Sequence, residues 1–368
     1  MRSLHINTER TWRGGEQQVI YLLQGLLERG DEASLICQPE SPIARRAQEL
    51  KIPTIPLRML GEADLLAAAR IAMVLRRKKI SILHVHTPHA HTLALIAGRF
   101  GGRPRLIVSK RTDFSIFRNS FFGLNLWKYA HGIDGYIAIS QEVRDVMIRD
   151  GVPPDRIRVV RSGVDPGRLS NGNGGNLLSE LGLDSNVPIV GNVAHMAGHK
   201  GQRTLIEAAP EILRSVPEAR IIIVGEGELE RSLKSLAHEL GVADRVCFPG
   251  FREDIPSFLS IFRIFAMPSH KEGLGTAVLD ALAMRLPVVA TRAGGIPEMI
   301  QDGVNGLLVP PKNSSALARG IVSLLKDPVR ARALAEAGYR SVIQQFGVDT
   351  MVDQTRRIYE ELLDGRAA

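Results

Sequence analysis

Short apolar runs alternate with helical patterns along this chain, and they do so twice. In the first half, β-rich runs read at SLHIN (3–7), ASLICQ (33–38), ILHVHT (82–87), LIVSK (106–110), YIAIS (136–140) and IRVV (157–160). In the second half they read at PIVGNV (188–193), RIIIVG (220–225), RVCFPG (245–250), IFAMPS (264–269), PVVAT (287–291) and GLLVP (306–310). Helical patterns separate most of them. In EQQVIYLLQGLLERG, for example, Val19, Leu22, Leu23, Leu26 and Leu27 share one face. A run such as IIIV lacks polar alternation, which suits a parallel strand covered on both faces. Strand–helix alternation of this kind builds doubly wound α/β domains, here one per half. A chain of 368 residues also exceeds what one hydrophobic core usually serves.

The expected division is residues 1–165, a linker at 166–187, and a second domain at 188–346. The Gly/Asn/Ser cluster at 170–176 reads as a flexible stretch. In doubly wound folds, ligands bind at the carboxyl ends of the strands, so a cleft between two such domains is the expected site.

Charge is unevenly spread. Residues 1–165 hold 25 Lys/Arg against 16 Asp/Glu, whereas residues 166–368 hold 22 against 23. The basic excess includes RRKK at 76–79, Arg99, Arg103, Arg105, Lys110 and Arg111. Such a half attracts nucleic acid, an anionic membrane or an acidic substrate, or is simply a solvated surface. Aromatics make up 5% of the chain, too few to interleave with the bases as stacking platforms, so nucleic acid is not the expected partner. No apolar run approaches the roughly 20 residues that cross a bilayer. The start, MRSLHINTER, has too short an apolar core for a signal peptide. The two cysteines, Cys37 and Cys247, give no metal spacing and fit a cytoplasmic setting.

The stretch HKEGLGTAVLDAL, 270–282, follows the run IFAMPS and so lies at a strand's carboxyl end. Gly273 and Gly275 allow a tight turn and close approach to a ligand. A helix is expected to start near Thr276, where N–H groups favour phosphate. Glu272 precedes the turn and Asp280 rides on the helix. A carboxylate accepts hydrogen bonds from paired hydroxyls, as on a sugar or ribose. On spacing alone, an ordinary loop with acids favoured near a helix start is the somewhat better account.

The longer stretch PSHKEGLGTAVLDALAMRLPVVATRAGGIPEMIQDGVNGLLVPP, 268–311, resembles the signature of family 4 retaining glycosyltransferases of the GT-B fold. The likeness extends along most of the chain. It implies two Rossmann-like domains facing a cleft, with a final helix at 347–368 crossing back to the first. It also implies transfer of a sugar from a UDP-, GDP- or ADP-linked donor to an acceptor hydroxyl, with retention and without a cofactor or metal. By the resemblance, Glu272 contacts the donor sugar and Asp280 the ribose. The family's usual residue at the latter place is Glu, so Asp280 departs from the pattern. Gly273, Leu274, Gly275 and Thr276 form the phosphate turn between them. Lys200, in GNVAHMAGHKG (191–201), matches the lysine of a pair of bases on the donor diphosphate, and the arginine position reads Asn192 or its neighbour. Gly14 and Gly15, in WRGGEQQV (12–19), match a loop lining the cleft. There Glu16 stands one place early and Gln17 occupies the usual acid position. Gly225, in VGEGELE, and Arg252, in FPGFRED, are expected near the nucleotide.

LHVHTPHAH, 83–91, places four histidines in a short span, a possible zinc set. Without a Cys or carboxylate among them, the expectation is no metal, with His86 lining the cleft and His84 buried. Arg111, in SKRTDF, either serves the acceptor or phosphate or is an exposed base. The acceptor is expected to be a lipopolysaccharide or other lipid-linked or cell-envelope glycan, and the protein to act in the cytoplasm, peripherally at an anionic inner membrane face. A sugar-nucleotide epimerase of the same architecture, or a non-enzymatic anion or nucleic-acid binder, are the competing readings.

Overall fold

A computed structural model describes residues 1–116, 128–129, 131–170 and 172–365. The chain forms two compact units, Met1–Gly163 with Val348–Ala368, and Val164–Gly347.

The strands of the first unit are β1 (Arg2–Asn7), β2 (Glu32–Cys37), β3 (Thr54–Pro56), β4 (Ile82–Val85), β5 (Arg105–Lys110), β6 (Gly135–Ala138) and β7 (Ile157–Val159). They form one parallel sheet in the order β3-β2-β1-β4-β5-β6-β7. The second unit contributes β8 (Ile189–Val193), β9 (Arg220–Val224), β10 (Val246–Cys247), β11 (Ile264–Met267), β12 (Val288–Thr291) and β13 (Leu307–Val309). Their order is β10-β9-β8-β11-β12-β13, again parallel. In both sheets the order in which the chain adds strands reverses at the centre, between β1 and β4 and between β8 and β11.

Apolar strands sit inside helical layers as their composition requires. Ile221, Ile223, Val190, Ile264 and Val289 pack with Leu205, Ile212, Leu317 and Ile321 in the second core. Leu35, Ile82 and Ile107 pack with Ile20, Leu23 and Leu26 in the first. Helix starts are capped by side chains. Asp64 accepts from Ala67 N at 2.9 Å, Ser140 from Val143 N at 3.1 Å and Asn313 from Ala316 N at 2.8 Å.

Two strands differ from the sequence expectation. β3 lies between Pro53 and Pro56 and was not foreseen; it is an edge strand, where a missing N–H is tolerated. The run at 245–250 forms a strand only over Val246–Cys247, short of Pro249. The expected linker is also different. Residues 166–187 belong to the second unit, with short helices at Pro166–Leu169 and Gly174–Glu180. Two of its glycines serve close packing: a Cβ on Gly172 would lie 2.5 Å from Pro256 O, and one on Gly174 2.5 Å from Ser260 Oγ. Asn173 N donates to Ser257 Oγ at 3.0 Å.

The last long helix, Val348–Leu363, belongs to the first unit and buries Met351, Val352, Ile358, Tyr359 and Leu362. It packs on the helix Gly14–Glu28, where a Cβ on Gly25 would lie 2.6 Å from Val352 Cγ2. Ala is the better helix former by up to about 1 kcal/mol, but overpacking costs about 1–3 kcal/mol. Gly25→Ala should therefore lower the melting temperature, and adding Val352→Ala should restore most of the loss. A rise on Gly25→Ala alone would mean the two helices are not held together here.

Candidate functional site

In the second unit, β8 and β11 are neighbours although the chain order reverses between them. The loops that follow them therefore leave the sheet at its switch point, where doubly wound sheets bind ligands. The loop after β8 runs through a single turn, Gly198–Lys200, into the helix Gln202–Ser215. The loop after β11 carries Ser269 to Gly275 into the helix Thr276–Ala283.

These loops are stitched together through backbone. His270 N donates to His199 O at 2.7 Å. Gly201 lies at φ +71, and a Cβ there would meet Pro268 O at 2.0 Å. A third loop, after β12, supports them. Gly295 N donates to Glu272 O at 2.9 Å, and Thr291 Oγ1 donates to Ser269 O. Gly294 lies at φ +52, with its missing Cβ 1.8 Å from Glu272 O. Only glycine meets both demands, conformation and room.

The framework fixes Glu272. Lys200 Nζ donates to its two oxygens at 2.9 and 2.8 Å, and Ser269 Oγ donates at 3.1 Å. The carboxylate is 10% exposed and the lysine 21%, so the pair is largely removed from water yet reachable. Gly275, at φ +98, occupies the cap position, and Thr276 is the first helical residue. Leu274 is buried. Asp280 stands on the second turn of this helix, half-buried, with both carboxylate oxygens accepting from Arg168 Nη2 at 3.1 and 3.0 Å. Burial raises its carboxyl above the usual range, and Arg168 opposes that rise. Nothing in the sequence spacing pointed to Arg168.

Three further expected residues have partners within the protein. Asn192 is 0% exposed; its amide donates to Ala266 O at 2.8 Å and so ties β8 to β11. It sits on a strand interior to the sheet, out of a ligand's reach, so it does not fill the arginine position. His195, three residues on, is half-exposed and lies 3.3 Å from Glu228. Gly225, at φ +134, packs its missing Cβ 2.2 Å from Ala194 O, so this glycine serves loop packing. Arg252 is engaged by Glu180 at 2.6 Å and by Asp254 at 2.8 Å, and the first pair ties it to the end of the helix Gly174–Glu180.

In the first unit, a buried polar array occupies the corresponding switch point, between β1 and β4. His5 on β1 meets His86 just after β4, Nδ1 to Nε2 at 3.0 Å. His5 Nε2 lies 3.2 Å from Ser3 Oγ, and His86 Nδ1 lies 3.4 Å from Arg111 Nη2. A guanidinium only donates, so it makes His86 Nδ1 an acceptor. His86 then donates from Nε2 to His5, and His5 from Nε2 to Ser3. His84 contacts Tyr359 OH at 2.5 Å and Ser109 Oγ at 2.8 Å. His84 is buried as expected; His86 is also buried and does not line a surface. His5 joins them on β1, a member the sequence did not single out; three imidazoles with ring nitrogens this close could hold a metal ion. Arg111 is half-buried rather than an exposed base, and burial lowers it to about 10. Gly15 lies over it, with its missing Cβ 3.4 Å from Arg111 Cδ, at the start of the helix Gly14–Glu28. Glu16 is buried, accepting from Asn7 Nδ2 at 3.1 Å and Arg13 N at 3.0 Å, whereas Gln17 is half-exposed.

Two family models match this chain, one described as Glycosyltransferase Family 4 over residues 12–168 and one as Glycosyl transferases group 1 over residues 176–341. Among solved structures, Anabaena HepE in complex with UDP and glucose superposes with a TM-score of 0.86 at 23% identity, over 98% of this chain and 100% of that one. The two sheets are thus those of the GT-B fold. Among curated relatives, the Rhizobium meliloti lipopolysaccharide core biosynthesis glycosyltransferase LpsE is 28% identical, covering 92% of this chain and 94% of LpsE. The Bacillus anthracis N-acetyl-alpha-D-glucosaminyl L-malate synthase is 28% identical, over 82% of this chain and 80% of that protein. The chain belongs to the family 4 glycosyltransferases and is a glycosyltransferase, with relatives in cell-envelope glycan synthesis.

The first-unit array has a measurable consequence. Burial holds His5, His84, His86 and His91 neutral, His5 down to about 3 and the others also well below the usual range. In the unfolded chain these rings take up protons below about pH 6.5. There the unfolded state binds more protons, so stability falls as pH falls. The loss should approach about 1.4 kcal/mol per pH unit for each ring that stays neutral. Urea melts between pH 7 and pH 5 should show it, and His91→Leu should flatten the slope. An unchanged midpoint across that range would contradict the neutral array.

Proposed function

We propose that the chain transfers a sugar from a nucleotide-sugar donor, UDP-, GDP- or ADP-linked, to an acceptor hydroxyl with retention of configuration. The second unit holds the donor. The observation that carries this reading is the Lys200–Glu272 pair beside the helix that bears Asp280. Glu272 accepts from sugar hydroxyls and Asp280 from ribose hydroxyls. Lys200, with backbone N–H groups of the turn Gly273 to Thr276, takes the charge that grows on the departing phosphate, the main electrostatic task of such a transfer. Donor entry exchanges part of the Lys200–Glu272 contact for phosphate and hydroxyl contacts. In this reading Lys200 and the turn amides take the phosphate charge without a metal.

The first unit takes the acceptor, which we infer to be a cell-envelope or lipid-linked glycan at an anionic membrane surface, reached from the cytoplasm. The helix Leu65–Arg77 supports this. From Leu65 to Lys79 there is no acidic residue. Its outward side shows Leu66, 75% exposed, with Met73, Arg70 and Arg77, and Leu60 is 73% exposed nearby in sequence. An exposed apolar stripe set among cations fits anionic headgroups. No described helix is long and apolar enough to cross a membrane.

A thermal-shift screen against UDP, GDP, ADP and their sugars tests the donor. One nucleotide should raise the melting temperature, and Asp280→Ala should abolish most of that shift. Glu272→Ala should lower kcat on the order of 10²–10³-fold, and chelators should leave activity unchanged. Absence of any nucleotide shift would overturn the reading. In flotation at low salt, the protein should follow phosphatidylglycerol vesicles, and Leu66→Ser with Met73→Ser should leave it behind. Failure of the parent protein to bind them would remove the membrane part alone.

A further inference from the structure

We propose that Arg168 is a donor-positioning residue: it holds the Asp280 carboxylate where it reads the ribose, and so makes a short acid serve at this position. The inference rests on the donor reading above and deepens it.

The geometry is specific. Arg168 belongs to the short helix Pro166–Leu169, which Asp165 caps by accepting from Gly167 N at 2.9 Å. From there its Nη2 reaches across to the second turn of the helix Thr276–Ala283 and bonds both oxygens of Asp280. The two side chains are 23% and 21% exposed, so the pair is neither a loose surface contact nor sealed. A pair at this depth is screened less than one on the surface, and its geometry is held by two short helices rather than by flexible loops.

Two consequences follow from the chemistry of the groups. A carboxylate offers about four accepting positions. Arg168 takes one on each oxygen and leaves each oxygen able to accept from one of two neighbouring hydroxyls. A hydroxyl donates to a carboxylate, whereas a protonated acid would compete as a donor, so the site needs the ionised form. Loss of water around Asp280 disfavours that form. Arg168 and Asp165, both on the segment that faces this helix turn, are the ionisable groups that bear on it, the first restoring ionisation and the second opposing it. Arg168 therefore sets both where the carboxylate points and the pH range over which it accepts. The side chain of Asp280 is one methylene shorter than Glu, and Arg168 Nη2 fixes both of its oxygens.

Nucleotide binding tests this without reference to the acceptor. Titrations with the nucleotide that shifts the parent protein should be run at pH 8, 7 and 6 on the parent and on Arg168→Met, Arg168→Lys, Asp280→Ala and Asp280→Glu, with folding of each checked by circular dichroism. Arg168→Met should weaken binding about tenfold or more at pH 7, and the loss should widen as pH falls to 6. Arg168→Lys, which keeps the charge but one point of contact, should fall between. Asp280→Glu should not improve the parent, but should recover affinity in the Arg168→Met background, a non-additive coupling expected of groups in contact. Asp280→Ala should be weak at every pH. If Asp280→Ala weakens binding while Arg168→Met binds like the parent with the same pH profile, Arg168 has no positioning role and the inference fails alone. If the parent binds no nucleotide, the donor reading fails and takes this inference with it. Should Arg168→Met not fold, Arg168→Lys with Asp280→Glu carries the test: additive effects overturn it.

Discussion

Two opposite charges drawn out of water at the switch point of the second sheet, Lys200 and Glu272, set the terms for everything around them. Separating largely buried charges from each other is costly, and removing one partner leaves the other uncompensated, typically a loss of 3–5 kcal/mol. The pair therefore has to be assembled by backbone that cannot drift. That explains why three loops converge on it and why their meeting points are glycines. Gly201 lies against Pro268 O and Gly294 against Glu272 O, each closer than any Cβ would allow. Such a pair is poised. A ligand that brings both phosphate and hydroxyls replaces each partner with another of the same kind, so the pair can open without exposing either charge. A neutral ligand, or an anion without hydroxyls, satisfies only one of the two.

The first unit solves a different problem with the same topology. Its switch point holds imidazoles in place of an ion pair, and the cation Arg111 orders His86 and, through it, His5. Because the guanidinium only donates, it dictates the tautomers of His86 and His5 and ends the chain of bonds at Ser3 Oγ. Tyr359, on the last helix, closes the other side through His84. The final helix is thereby a buried component of the first unit's polar centre as well as of its apolar core. This array lies beneath the glycine-led start of the helix Gly14–Glu28, where Gly15 packs on Arg111.

Much of this was legible in the sequence, and the reason is periodicity. Apolar runs of strand length, repeated between helical patterns, dictate a parallel doubly wound sheet, and the runs from SLHIN to GLLVP fall on strands. Likewise a carboxylate at a strand's carboxyl end before a glycine turn is a local pattern, and Glu272 and Asp280 stand at the end of β11 and on the following helix as that pattern implied. What periodicity cannot carry is pairing between residues far apart in the chain. Arg168 meets Asp280 across more than a hundred residues, and Arg252 meets Glu180 across seventy-two. The glycines at 172 and 174 misled for a related reason. In sequence, glycine signals freedom; in the fold, these two mark where backbone lies against the helix Ile255–Ile261. Asn192 and His86 follow polar rules that depend on burial, and a polar residue on an apolar strand gives no sign of whether it faces a ligand or bonds a neighbouring strand.

The central claim is that the acids after β11 read the hydroxyls of a bound nucleotide sugar. The most direct measurement is a crystal structure of the protein with an intact nucleotide sugar. The account requires a Glu272 carboxylate oxygen within about 3 Å of a sugar hydroxyl. It also requires Asp280 at that distance from the ribose, with Lys200 Nζ on a phosphate oxygen. A nucleotide seated away from β11, or one seated there with Lys200 and Glu272 still closed on each other and neither acid touching it, would contradict the account.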